Sequence, residues 1–471
     1  MTLPVIKTIL EGQGSAKLLQ YLACTSACVV VFTVGIHLAW TGPSLRKILS
    51  PEYPHDVTPD EASYIAIVSC VGHVIGGFSG STLSDTMGRK YTLLAAAVPQ
   101  VSSFIMIYFS YYGTYLLYCA RVIGGIGEGV VVAVLPTYLA EVSSPNIRGA
   151  IGTLSTLFAR SGCLFINLLG SYTDIHTAAL VCLAFPVLHW VLFVNFPETP
   201  YYLLMKGKTE RARQSLKALR GSQDVEKEVL RLTADVARQM SESGTYKDLF
   251  TIDSNRKAFF LITAARIFQQ FTGTSAFINY YQILIEQNTD LSPVMGSSLI
   301  ILTQIIMSAL ASKFVDRFGR KPLLTASAGL TFSVLLILGI YFTLKDYTSL
   351  DLSVIHWFPL PMMVLFIITF FLGMGVIMPI LVSEVYSTSI KARAISLGGI
   401  VFASSMTAST KFYQYAGDNF GLAVPFYTFA ASTFFGTLFF HFKVPETKGK
   451  TLEAIQQELK GNVGKNRQSM T

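Results

Sequence analysis

An all-α membrane protein of twelve spans in two six-helix halves is the fold this sequence predicts, on three observations. Apolar residues dominate and charge is scarce: 51% of the 471 residues are hydrophobic and 14% charged, where soluble domains carry roughly a quarter charged residues. The apolar residues fall in blocks of about 20, the length of helix that crosses a bilayer. Three short motifs recur, in the same order, in the two halves of the chain.

Spans are read near 18–42, 62–84, 91–112, 115–140, 149–171 and 177–196, then near 257–283, 294–315, 322–344, 358–384, 392–416 and 421–442. The first half is thus 18–196 and the second 257–442, with residues 1–17 and 443–471 as polar ends. The segment 197–256 contains KTERARQSLKALRGSQDVEKEVLRLTADVARQM. It is rich in helix formers with opposite charges at helical spacing, which predicts short amphipathic helices on one membrane face. Basic residues set the sidedness. The connections after spans 2, 4, 8 and 10 carry Arg89-Lys90, Arg148, Arg317 with Arg320-Lys321, and Lys391 with Arg393. The opposite connections carry Asp56, Asp60, Glu61, Asp174, Asp290 and Asp351, with Arg46 and Lys47 as minor exceptions. Both ends and the central segment are therefore expected in the cytosol, in a multi-pass protein of the plasma membrane.

The net charge of +8 sits in the connections, so it is no nucleic-acid signal. Six cysteines lie in or beside apolar blocks without a CxxC and read as small packing residues. The mixed, polar first 17 residues and the length of span 1 argue against a cleaved signal peptide.

The repeat is specific. SDTMGRK (84–90) follows span 2 and VDRFGRK (315–321) follows span 8. YLAEVSSPNIRGA ends span 4 and LVSEVYSTSIKARA ends span 10. FPETP closes the first half and VPETKGKTLEAI the second. Asp85 and Asp316 thus lie at helix ends, Gly88 and Gly319 permit a tight turn, and Arg89 and Arg320 supply fixed cations. Glu141 and Glu384, with Arg148 and Lys391, are placed to clamp neighbouring helices at one membrane face. Such pairs would favour the state closed to the cytosol and break when that face opens.

These motifs resemble the sugar porter family of the major facilitator superfamily over roughly 18–455. ARVIGGIGEGVVVAVLPTYLAEVSSPNIRG and RIFQQFTG look most like its insect branch of facilitated trehalose and hexose carriers. The resemblance implies the major facilitator fold, a sugar as small-molecule partner, alternating access without a cofactor, and a functional monomer in the bilayer. Ser81 and Ser312 stand where that family usually has glycine.

The family places its substrate site near the bilayer midplane at the repeat interface. Sugars need amide and hydroxyl partners beside an apolar face. In span 7, FQQFTGTSAFINYY carries Gln269 and Gln270, which are expensive in lipid unless they face a cavity or another helix. The resemblance makes them sugar ligands, with Tyr280 further along and Gln304 at mid-depth of span 8. Departures follow: Thr156 for the usual Gln of span 5, Ser275 for Asn, Phe371 for an acid, Pro379 for Trp and Phe402 for Asn. Gly373 and Gly375 keep a flexible point in span 10. His37 and His73 read as interhelical histidines, and the lack of an acid in span 1 favours uniport.

LFARSGCLF (157–165) puts Arg160 inside span 5, roughly 18 Å from its cytosolic entry at the helical rise. Glu128 lies roughly 20 Å deep in span 4 by the same count. An ion pair between them is expected, eased by Gly124, Gly125, Gly127 and Gly129. The alternative is that Arg160, sharing a face with Thr156, lines the cavity and binds an anionic solute with help from Arg266. A nutrient sensor is a third reading. An enzyme is not expected, since no metal cluster, phosphate loop or nucleophile constellation is visible.

Overall fold

The computed structural model describes residues 16–144, 147–222, 224–241, 244–348, 355–387, 390–450, 455 and 457–458. Contacts divide the backbone into two compact units, Met1–Val57 with Val68–Glu242, and Thr58–Ile67 with Ser243–Thr471. The polar segment read as a separate linker therefore folds mostly with the first unit.

In the first unit, span 1 is α1 (Ala16–Ala39) continued by α2 (Thr41–Ile48). Span 2 begins as α3 (Pro59–Ile67), which belongs to the second unit, and continues as α4 (Ser69–Thr86) in the first. Spans 3 to 6 are α5 (Arg89–Tyr108), α6 (Tyr115–Val142), α7 (Arg148–Tyr172) and α8 (Ile175–Phe193). The Asp174 side chain accepts from Thr177 N and caps α8, satisfying one of the amides a helix start leaves open.

Small residues decide which spans touch. A methyl group at Gly72 or Gly76 would overlap the carbonyls of Val122 or Ile126, and one at Gly125 or Gly129 those of Ser69 or His73. Spans 2 and 4 thus meet backbone to backbone, the small-xxx-small contact by which membrane helices gain close packing. Span 1 meets span 5 in the same way, Gly35 against Ala159 O and Gly162 against Phe32 O. Leu93, Val131, Val134, Tyr138, Val142 and Phe193 form the buried core around α6.

Beyond span 6 come α9 (Pro200–Met205), α10 (Thr209–Arg220) and α11 (Glu226–Ser241). Their apolar faces enclose a small core of Tyr202, Leu203, Leu204, Ala212, Leu216, Val225, Val229 and Val236. Arg220 bonds Glu228 at 2.9 Å and donates to Val142 O at 3.0 Å, placing a cation at the C-terminus of α6, where the helix dipole favours it.

The second unit opens with α12 (Tyr246–Thr251), started by a Thr245–Asp248 capping box. Span 7 is α13 (Asp253–Gln270) and α14 (Thr274–Asn288); spans 8 and 9 are α15 (Pro293–Phe318) and α16 (Arg320–Tyr347). Span 10 is α17 (Pro359–Leu372) and α18 (Met374–Val385); spans 11 and 12 are α19 (Lys391–Phe420) and α20 (Ala423–Lys443). Stacked rings fill the core, Phe277 on Phe366 at 4.4 Å and Phe342 on Phe426 at 5.1 Å. The short α3 is held by Lys411, whose Nζ pairs with Asp60, donates to Ser63 Oγ at 2.7 Å and sits 4.2 Å over the Tyr64 ring.

Among the described residues, ten helices are long and apolar enough to cross a membrane. They match every expected span except 7 and 11. Those two are helical as well, but Arg266, Gln269, Gln270 and Ser275 in one, and Lys411 and Gln414 in the other, lower their hydropathy. Polarity at spanning length is what a solute pathway requires.

Candidate solute site and its charge network

The solute site expected in span 7 forms around a helix break. Gly273 takes φ +82° and a methyl there would overlap the Phe429 ring, so only glycine fits both the turn and the close approach. The break releases backbone carbonyls that lipid could not satisfy. Thr272 Oγ1 donates to Gln269 O at 2.8 Å, and Ser409 Oγ to Gln270 O at 3.0 Å.

The twin glutamines differ in their duties. Gln270 accepts from Ser275 Oγ at 2.7 Å, and among the described residues its Nε2 donates to nothing. Gln269 is spent at both ends: its Oε1 accepts from Arg266 Nη1 at 3.1 Å, and its Nε2 donates to Met374 O at 2.8 Å. Tyr280 is 9% exposed and its ring lies 5.5 Å from that of Tyr413. Its hydroxyl has no partner among the described residues. Gln304 is buried and lines a crevice with Phe277, Ile278, Tyr281, Ile300, Met363 and Ile367. That crevice measures about 10 Å³, space for a single water. Gly375 lies in the first turn of α18, where a methyl would press on Phe371.

In the first unit, Thr156 is exposed and bonds its own helix at Gly152 O. Arg160 is half-buried beside Cys163. The ion pair expected between Arg160 and Glu128 does not form: among the described residues, Glu128's ion-pair contact is His73, at 4.0 Å. The depths match, but the neighbours differ. Gly125 and Gly129 turn α6 toward α4, and Gly127 turns it toward Gln100 and Ala96 of α5. The face of α7 that carries Gly162 and Cys163 meets α1, with Cys163 Sγ donating to Gly35 O at 3.3 Å. Arg121, also in α6, donates to His37 O at 2.7 Å and to Ser69 Oγ at 3.2 Å.

The repeated charge motifs form two matching networks. Glu141 pairs with Arg89 at 3.3 Å, and Arg89 also reaches Asp85 at 3.5 Å. The expected partner Arg148 has a side chain outside the described residues. Glu384 pairs with Arg320 at 3.1 Å and accepts from Thr447 Oγ1 at 2.5 Å. Among the described residues it forms no ion pair with Lys391, and the Asp316 side chain falls outside them. The turn glycines explain the choice. Gly88 (φ +103°) and Gly319 (φ +91°) start α5 and α16, which brings the arginine that follows each of them to the glutamate of span 4 or 10.

Sequence reasoning used the PET motifs only as markers of the repeat and missed their work. Glu198 accepts from Lys90 N at 3.1 Å, and Glu446 accepts from Arg320 N at 3.0 Å and Lys321 N at 3.1 Å. Each carboxylate caps the helix that starts at the turn glycine. The recurrence of glutamate after proline beside a glycine turn was the available signal. Burial pushes the Glu198 carboxyl above the ordinary range. At Glu446 burial acts in the same sense, but backbone amides of Lys448, Arg320, Lys321 and Thr447 outweigh it and hold the carboxyl low.

Two repeated helical units, each braced by a carboxylate-capped glycine turn, with a polar break inside an apolar span, define a polytopic membrane protein built on an internal repeat. The chain belongs to the Sugar (and other) transporter family, whose model matches residues 24–459. It is 31% identical to the facilitated trehalose transporter Tret1 of Bombyx mori, over 93% of this chain and 86% of the relative. It is 32% identical to trehalose transporter 1 of Drosophila melanogaster, over 94% of this chain. The chain spans about half the length of the Drosophila relatives, 52% in that case. Its fold is that of the xylose transporter XylE from E. coli in a partially occluded inward-open conformation. The TM-score is 0.77 at 20% identity, covering 92% of this chain and 99% of that one. A XylE structure bound to 6-bromo-6-deoxy-D-glucose gives 0.75 at 19% identity, covering 94% and 99%.

Proposed function

We propose that this chain is a facilitative transporter that carries a sugar, trehalose or a hexose, across the plasma membrane by alternating access. In this reading it is a monomer with both ends in the cytosol, and it works without a cofactor or enzymatic turnover. The observation that carries the reading is the pair of open donors in span 7. The Tyr280 hydroxyl is buried without a partner among the described residues, and Gln270, whose Oε1 is taken by Ser275, keeps its Nε2 outside any hydrogen bond to the described residues. An unsatisfied buried donor costs about 1–3 kcal/mol, a cost relieved when a hydroxyl-rich solute accepts from it. Ser275 holds the Gln270 amide so that its nitrogen is the end presented. Trehalose is favoured by the activity named for the insect relatives. Span 1 (18–42) carries no acid of the kind that would serve proton coupling, which favours uniport.

The test is uptake of labelled trehalose and glucose into proteoliposomes, with and without a proton gradient. Saturable uptake that ignores the gradient and falls at least roughly tenfold in Gln270→Ala, at unchanged protein incorporation, is expected from loss of a solute hydrogen bond. Sugar uptake unaffected by Gln270→Ala and by Tyr280→Phe would remove the site.

A further inference from the structure

Span 10 is broken at Gly373, and the break is braced from two sides. Gly373 takes φ −141°, ψ −64° between α17 and α18. A Cβ there would lie 2.6 Å from Leu323 O and 2.7 Å from Ser327 Cβ, so the broken strand of backbone presses directly on span 9. The helix resumes on the Gly373 carbonyl, which accepts from Val376 N at 3.1 Å and Ile377 N at 2.8 Å. Ser327 then bonds both sides of the gap. Its hydroxyl donates to Thr369 O at 2.6 Å and accepts from Met374 N at 3.1 Å. From the other side Gln269 Nε2 donates to Met374 O at 2.8 Å.

An amide can turn over, so something must keep the Gln269 nitrogen on Met374. Arg266, one turn earlier on α13, does this. Its Nη1 donates to Gln269 Oε1 at 3.1 Å, and its guanidinium lies 5.1 Å over the Phe402 ring. Arginine has donors only, so it fixes which end of the amide faces it and which faces Met374. Among the described residues Arg266 has no carboxylate partner. A cation at this depth without one is costly, and here the guanidinium is held by the Gln269 amide and the Phe402 ring.

We propose that Arg266 is a positioning residue that orients Gln269 as a strut across the break in span 10, and that a solute drawing on Gln269 releases the strut and frees α18 to move. The first part stands on the geometry alone; the second rests on the proposed sugar site.

Hydrogen–deuterium exchange on the purified full chain in nanodiscs, without sugar, tests the first part. Exchange in peptides covering 371–380 is expected to rise roughly tenfold in Gln269→Glu, which keeps the acceptor for Arg266 but loses the donor to Met374. It should rise less, roughly threefold, in Arg266→Gln, and return toward the parent rate in Arg266→Lys, which restores a cationic donor. Peptides of span 4 serve as the control for general loosening. Unchanged exchange in Gln269→Glu, or an Arg266→Lys chain as loose as Arg266→Gln, overturns the strut. Trehalose uptake tests the second part. Arg266→Gln should lower the maximal rate severalfold with KM changed less than twofold. A raised KM at an unchanged maximal rate would make Arg266 a direct solute contact and overturn the positioning role. If the parent chain takes up neither trehalose nor glucose, the sugar reading and the release by solute both fail, while the exchange result still decides the strut.

Discussion

Replacing Glu141 by alanine leaves a guanidinium with nowhere to go. The Arg89 and Glu141 side chains are 7% and 12% exposed, with Nε 3.3 Å from Oε1. After the change Arg89 keeps a hydrogen bond to Ser84 O at 3.1 Å, Asp85 at 3.5 Å and the Tyr202 ring at 5.4 Å. Asp85 is 67% exposed, so its contact is screened and worth less than about 1 kcal/mol. Removing one partner of a buried pair costs about 3–5 kcal/mol, because the remaining charge stays desolvated. With Ser84 and Asp85 still in place, the lower figure of about 3 kcal/mol applies. Thermal unfolding of the detergent-purified protein, followed by intrinsic fluorescence, should show Tm lowered by roughly 3–6 °C, the larger shift if the first half unfolds alone. Arg89→Met with Glu141→Leu removes the desolvated charges as well as the pairing, and should recover most of that loss. The second half offers a graded control. Arg320 and Glu384 are 16% and 27% exposed, so Glu384→Ala should cost roughly half as much. A Glu141→Ala protein with the parent Tm, or a double variant no better than the single one, would refute the reasoning.

Other predictions follow from the same contacts. Glu446, held low, stabilises the fold above the ordinary glutamate value of 4.5 and loses that contribution as pH falls through its own lower value. Tm should therefore drop on acidification below pH 4.5, and Glu446→Gln should remove part of that drop. Glu198, pushed up by burial, acts in the opposite sense: its ionisation costs stability as pH rises from 4.5 through its higher value. Glu198→Gln should lessen the loss of Tm on that side. Gly273→Ala forces a methyl into a left-handed turn and onto Phe429; a loss of about 1–3 kcal/mol is expected from the conformation alone, read as a lowered Tm. Glu128→Gln and Arg160→Gln should act independently in a double-mutant cycle, with coupling below about 0.5 kcal/mol.

The spans and the repeat were legible because bilayer thickness and basic loops act on short stretches of chain. Spans 7 and 11 were legible too, although their polar residues leave them short of the hydropathy a spanning helix usually shows. Partnership across helices was not legible. Depth counting placed Arg160 and Glu128 at one level, but which helices meet is decided by the glycine faces of α4, α6, α1 and α7. Glu141 and Glu384 were recognised as ends of a clamp, but the turns at Gly88 and Gly319 bring Arg89 and Arg320, distant in sequence, to them. Gln269 was read as a ligand from the resemblance, which carries no information on what else its amide bonds. Its amide is committed to Met374, a carbonyl exposed by a break that the glycines of span 10 hinted at without revealing what braces it.

Uptake of labelled trehalose into proteoliposomes holding the purified chain tests the central claim most directly, with Gln270→Ala and a collapsed proton gradient as companions. Saturable, gradient-independent uptake that is lost in Gln270→Ala is the predicted result. Absence of any sugar uptake, alongside transport of an organic anion abolished by Arg160→Gln, would contradict the account.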